Sequence, residues 1–289
     1  PRRTMSSWMD FVRFMFSRER MAAVTSLTED GAPIFLPQEH IFGRVLPEIC
    51  VSTVGVTLIF VGFLYLLLDT KPRELRYKLA FRCTNILLYI ILIVIGIYGE
   101  TVVLSELTDT DNVATYVRGL DDETLVLTVV CGFQIWSLVV GRLYFEETAL
   151  MMWHHIAVLA GSCMYLTFTN GFRYHSFYFA GIWEVSSIPL ALMNLFRDQK
   201  GWSERYPTVY FLIRLTFALS FLIVRMIISF PHVIRYLTDL YVVTAATADK
   251  GVVYHGFMSA VFALSCFLEV LQIYWAGLIV QMLFRHGFR

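Results

Sequence analysis

The sequence predicts an all-α membrane protein with about seven transmembrane helices, and three observations carry that expectation. Of 289 residues, 57% are hydrophobic and 16% charged, whereas soluble domains average about 45–50% apolar and about 25% charged; mean hydropathy is +0.62. Seven apolar stretches are long enough to cross a bilayer, a crossing that takes roughly 20 residues at about 1.5 Å each through a hydrocarbon core about 30 Å thick. None shows the ten-residue alternation of a membrane β-barrel, the other structure that satisfies its backbone hydrogen bonds in lipid.

The first stretch runs from about Val45 to Leu68 (VLPEICVSTVGVTLIFVGFLYLLL) and the second from about Cys83 to Leu104 (CTNILLYIILIVIGIYGETVVL). The third spans Thr124 to Phe145, the fourth Thr148 to Phe168, the fifth Tyr174 to Phe196, the sixth Tyr206 to Phe230 and the seventh Gly256 to Phe284. Polar connections separate them: Asp69 to Arg82, Ser105 to Glu123, Asn170 to Arg173, Arg197 to Arg205, and Pro231 to His255. Residues 1–44 form a separate arm, in which Trp8, Met9, Phe11, Val12, Met15 and Phe16 alternate with Arg13, Arg18 and Arg20. That pattern suits an interfacial amphipathic helix or a short arm packed on another membrane protein subunit. The chain begins at Pro1, which reads as a processed or truncated form whose targeting segment is out of view.

Lysine and arginine near the spans set orientation. Lys71, Arg73, Arg76, Lys78, Arg82, Arg142, Arg197, Lys200, Arg205, Arg285 and Arg289 fall on one side. The other side has Arg44, Arg118, Arg173, Arg235 and Lys250, and an acidic loop carrying Glu106, Asp109, Asp111, Asp121, Asp122 and Glu123. The C-terminus is therefore expected in the cytosol, or in the matrix of a mitochondrion. Net charge is zero, so no overall basic field recruits nucleic acid. Cys50, Cys83, Cys131, Cys163 and Cys266 stand singly in apolar runs without C-x-x-C spacing and read as small buried hydrophobes.

Ionisable side chains inside the spans stand out, since each costs roughly 2.5–3.5 kcal/mol on insertion scales. His154 and His155 lie in the fourth span (MMWHHIAVLAG) and Glu184 in the fifth (GIWEVSSIPLALMNLF). Arg214 and Arg225 lie in the sixth, and Glu269 in the seventh, where an Arg225 to Glu269 ion pair is expected as a structural link. Adjacent helical histidines diverge by about 100°, so one faces a ligand or reacts while the other supports it. A neutral histidine can take a proton from an amine or hydroxyl, with a carboxylate such as Glu184 fixing its tautomer; the same residues can instead serve as interhelical hydrogen bonds. Adjacent histidines seldom chelate one ion, so no metal is expected. Pro189 is expected to kink the fifth helix and free the carbonyl of Val185 beside Glu184.

In order and spacing, YFEETALMMWHH, GIWEVSSIPLALMNLF, FLIVRMIISFP and LQIYW resemble the TLC-domain family, which includes ceramide synthases and smaller proteins linked to membrane lipid composition. The resemblance runs from about Tyr77 to Phe284. It implies that the second to seventh helices, in a domain of residues 77–289, form a six-helix barrel with a lipid cavity inside, and that residues 45–68 add a helix outside it. His154 and His155 match the family's histidine pair and Glu184 the glutamate of its smaller members, with Ser187, Trp153 and Trp183 as lipid-binding or supporting neighbours. Leu88 and Tyr89 stand where the second helix of the family often has a histidine, Glu146 or Glu147 replaces an aspartate, and the aspartate-rich pattern of ceramide synthases is missing. The functions implied are lipid or acyl-chain binding that affects membrane lipid composition, acyl transfer from acyl-CoA with His154 and His155 as catalytic residues, or a structural role as an accessory subunit of a large organellar membrane complex. No cofactor is expected beyond acyl-CoA as co-substrate of an enzyme. The resemblance points to the endoplasmic reticulum, with the mitochondrial inner membrane as the alternative.

Overall fold

A computed structural model describes residues 36–70, 72–103, 123–144, 148–167, 175–199, 201–248 and 251–286. The expectations for residues 1–35 of the arm, for most of the acidic loop, and for Glu146 and Glu147 lie outside the described residues. Seven helices are long and apolar enough to cross a membrane: α1 Gln38–Leu66, α2 Arg73–Thr101, α3 Leu125–Leu143, α4 Ala149–Thr167, α5 Phe177–Asp198, α6 Pro207–Ala245 and α7 Val252–Phe284.

Every expected span is present, and the largest difference is in α6. Its expected end at Phe230 gives way to a helix that continues to Ala245, through most of the segment read as a loop. Pro231 falls at the third residue of the regular helix Ser229–Ala246, directly after a π-helical stretch, Phe221–Ile228. The wider preceding turn relieves the clash of the proline ring with the backbone behind it, so the chain stays helical. α5 repeats the device. Pro189 is the third residue of the regular helix Ser187–Asp198, and a π turn, Phe177–Gly181, and a 3₁₀ stretch, Ile182–Ser186, come before it. Glu184 and Arg225 both sit in these irregular stretches, where π and 3₁₀ turns re-aim side chains.

Helix neighbours run in a closed ring, α2 to α3 to α4 to α7 to α6 to α5 and back to α2. α1 packs outside, across α2 and α3. Ile49, Val56 and Phe60 of α1 are buried, at the spacing of one helix face. The rest of the helix presents Val51, Leu58 and Tyr65, each at least 65% exposed, as suits a lipid-facing surface. Trp136 of α3 joins the three outer elements: its ring stands 5.5 Å from Phe60 of α1 in an edge contact and 5.2 Å from Phe81 of α2 in a stack. The closing seam between α2 and α5 depends on paired glycines. A Cβ on Gly181 would lie 2.5 Å from the Cα of Gly96, so only residues without side chains let the two backbones meet there.

Candidate functional site

The ring encloses a cavity of about 140 Å³. All six ring helices line it, and among the described residues none of α1 does. Its wall is chiefly apolar, with Leu92, Val130, Phe133, Val158 and Leu264 among the lining residues. Two groups of polar side chains interrupt that wall.

Arg225 anchors the first. Delivered by the π stretch of α6, it is only 8% exposed. Its Nε donates to Ser186 Oγ at 2.7 Å, Nη2 to Ser187 Oγ at 3.0 Å and Nη1 to Gln272 Oε1 at 3.2 Å. The guanidinium therefore ties α6 to α5 and α7, and it stands 5.4 Å from the ring of Trp183 and 5.5 Å from that of Phe221, within cation–π range. Glu184 lies beside Ser187 and Arg225, and both Glu184 and Glu269 line the cavity. The expected Arg225 to Glu269 ion pair does not close. Two of the three guanidinium hydrogen bonds go to the serine hydroxyls of α5, and the one that reaches α7 meets the neutral amide of Gln272, a turn beyond Glu269. Arg214, earlier on α6, donates to Met282 Sδ at 3.6 Å instead.

The histidine pair divides as the helix geometry requires. His154 lines the cavity, with its ring 5.2 Å from Trp275 in an edge contact. Its Nδ1 is buried and has no hydrogen-bond partner among the described residues. His155 is buried and turned toward α3, where its Nδ1–H donates to Gln134 Oε1 at 2.6 Å. The group that orients a histidine is thus the Gln134 amide rather than the Glu184 carboxylate, and the oriented ring is the one outside the cavity lining. Trp183 lines the cavity as expected, and Ser187 binds Arg225. Trp153 is 61% exposed on the outer face of α4, a position for contact with membrane lipid.

The second polar group consists of hydroxyls. Tyr165 and Tyr236 hydrogen-bond to each other, Tyr236 Oη lies 2.6 Å from Ser265 Oγ, and that hydroxyl also donates to the Val261 carbonyl at 2.9 Å. The His175 ring lies 5.2 Å from that of Tyr236. Gln134, Gln272, Tyr165, Tyr236 and Ser265 bear no formal charge at pH 7, so a reading of intramembrane charges does not single them out. The available signal for the amides was a glutamine within a largely apolar run, Gln134 in the third span and Gln272, with Gln281, in the seventh, which lipid makes costly without a partner. All five cysteines are free; Cys131 and Cys163 bring their sulfurs to 3.8 Å across α3 and α4. Among the described residues no group of three or more His, Cys, Asp or Glu is placed to hold a metal.

A closed ring of membrane-spanning helices around a cavity with buried polar groups defines a class of multi-pass membrane protein. The TLC-domain family model matches residues 46–281, and the chain belongs to the TLC-domain family. That match takes in α1 as well as the ring. No curated protein and no solved structure matches the chain.

Proposed function

We propose that this protein binds a lipid or acyl chain inside its helical ring and thereby affects membrane lipid composition. The observation that carries the reading is the cavity itself, apolar along most of its wall and polar at Arg225, Gln272 and His154. At about 140 Å³, it has roughly ten times the space needed for one water molecule and is close to the size that takes a benzene ring. That suits a segment of an acyl chain with one polar group attached, and it is too small for a whole phospholipid.

Acyl transfer from acyl-CoA is the rival. His154 is the residue that reaches the cavity, and a general base or nucleophile there needs an orienting partner. Gln134 gives that partner to His155 instead, which favours binding over turnover. On the same reading the protein lies in the endoplasmic reticulum, or alternatively the mitochondrial inner membrane. Arg73, Arg76, Lys78, Arg82, Arg142, Arg197 and Arg205 would mark the cytosolic or matrix side, where the C-terminus also lies.

Purification in mild detergent, followed by mass spectrometry of bound lipids and proteins, tests the reading. The Gly161→Leu variant adds a side chain at the cavity wall, where a Cβ meets only Leu264 Cδ2 at an ordinary 3.6 Å. A stoichiometric lipid in the wild type that is lost from Gly161→Leu and from the His154→Ala, His155→Ala double variant is the expected result. Lipid content unchanged in both variants, with stable protein partners retained, overturns the reading and favours a structural subunit.

A further inference from the structure

The Arg225 group contains more hydrogen-bond donors than its own residues accept. Gln272 is 0% exposed, and with its Oε1 taken by Arg225, its Nε2 has no partner among the described residues. Trp183 is 8% exposed, and its indole Nε1 likewise has none. Both side chains line the cavity, and Arg225 links them, bonded to one and lying against the ring of the other. Two N–H groups left without acceptors in a hydrocarbon environment cost several kcal/mol in total. An amide and an indole beside one cavity therefore mark where an oxygen acceptor belongs.

Charge narrows the type of oxygen. Arg225 is the one Arg or Lys among the lining residues, whereas two carboxylates, Glu184 and Glu269, share the cavity. One ionised acid there is enough to balance the guanidinium, so an incoming carboxylate or phosphate meets no excess of positive charge and, in a low dielectric, is repelled by whichever acid is ionised. A neutral carbonyl avoids that repulsion and still accepts hydrogen bonds.

Resting on the lipid-binding reading, we infer that this end of the cavity is a carbonyl-recognition site. Gln272 Nε2–H and Trp183 Nε1–H donate to the carbonyl oxygen of a neutral acyl ester or acyl amide. The hydrocarbon chain runs along the wall formed by Leu92, Val130, Phe133, Val158 and Leu264. Arg225 is a positioning residue, because it holds the Gln272 amide by its oxygen and so turns the Nε2 donors away from itself.

Four probes with matched chains test this in the purified full-length protein: 1-palmitoylglycerol (an ester), 1-O-hexadecylglycerol (the ether without a carbonyl), N-palmitoylethanolamine (an amide) and palmitate. Their affinities would be measured by quenching of tryptophan fluorescence, and the ester and amide bound again with a ¹³C-labelled carbonyl for infrared spectroscopy. The ester or the amide should bind at least tenfold more tightly than the ether, and whichever is tighter identifies the lipid source. Palmitate should bind no better than the ether. The carbonyl band should shift to lower wavenumber on binding, and both the shift and the preference should shrink in Gln272→Leu and in Trp183→Phe. The second variant removes the indole N–H together with part of the ring and involves none of the hydrogen bonds of Arg225, so it serves even if the first fails to fold. Ester, amide and ether bound equally by the wild type overturn the carbonyl site while lipid binding stands. A carbonyl preference untouched by Trp183→Phe, or a preference for palmitate, also overturns it. Failure of all four probes to bind removes the lipid reading itself.

Discussion

The two polar groups inside the ring differ in how completely their hydrogen bonds close. Tyr165, Tyr236 and Ser265 are satisfied by one another and by the Val261 carbonyl, and they tie α4, α6 and α7 together without formal charge. The Arg225 group ties α5, α6 and α7 and has donors to spare. Arg225 and Tyr236 are eleven residues apart on α6, roughly 16 Å along a helix axis, so the cavity has two distinct polar stations. The closed station accounts for itself as a clamp between helices. The open one leaves two donors without acceptors among the described residues, and on the proposed reading the difference separates the part that holds the ring together from the part that reads what enters it.

Replacing Arg225 should give the largest effect. In Arg225→Ala, Ser186, Ser187 and Gln272 lose their common partner and Glu184 its neighbouring cation, a loss of about 3 kcal/mol or more by analogy with broken buried ion networks. Thermal unfolding in detergent should show the steepest fall in midpoint among the single variants, accompanied by loss of bound lipid. An Arg225→Ala protein with near wild-type midpoint would mean that the three-helix junction is held elsewhere, for instance at the Gly96 to Gly181 seam.

Opening the clamp sharpens the contrast. Tyr165→Phe and Tyr236→Phe each remove one hydroxyl and leave the ring that packs beside it, at a cost of about 1 kcal/mol. Their midpoints should fall modestly, and co-purified lipid should stay at the wild-type amount. Lipid lost from either variant as fully as from Arg225→Ala would erase the distinction between the two stations and make the hydroxyls part of the ligand site.

How much of this was legible in the sequence depends on what sets each feature. The number of spans follows from the length and hydropathy of the apolar runs, and all seven were readable. The closure of the ring and the exclusion of α1 from the cavity were accessible through family resemblance, since hydropathy says nothing about which helices touch. Helix ends were read poorly at Pro231, because a proline looks like a stop unless the turn before it can widen, and that widening depends on packing against α5 and α7. At the site, the split between His154 and His155 followed from the angle between adjacent helical residues. Which of them faced inward did not, because the deciding contact is Gln134, on another helix. The Arg225 to Glu269 pairing failed for a similar reason. Opposite charges in neighbouring spans suggest a pair, yet the π stretch aims the guanidinium at the serines of α5, and an uncharged glutamine one turn away takes the remaining bond.

The histidine pair gives the smallest expected effect and the finest test of the comparison, because it places an open and a closed group on consecutive residues. His155 and Gln134 form a closed contact at 2.6 Å, so His155→Phe, Gln134→Leu and the double variant should yield a coupling energy of about 0.6 kcal/mol, the average for polar contacts between membrane helices. Lipid content should follow that stability change and nothing more. His154, with an unbonded Nδ1 and a ring in the cavity wall, should behave in the opposite way: His154→Phe should leave the midpoint near that of the wild type and lower the amount of bound lipid. Trp153→Leu, on the outward face of α4, provides the baseline with neither effect. If His155 variants lose lipid while His154→Phe keeps it, the assignment of the two rings is reversed. The polar end of the ligand then lies at Gln134 of α3 rather than at Trp183 of α5 and Gln272 of α7.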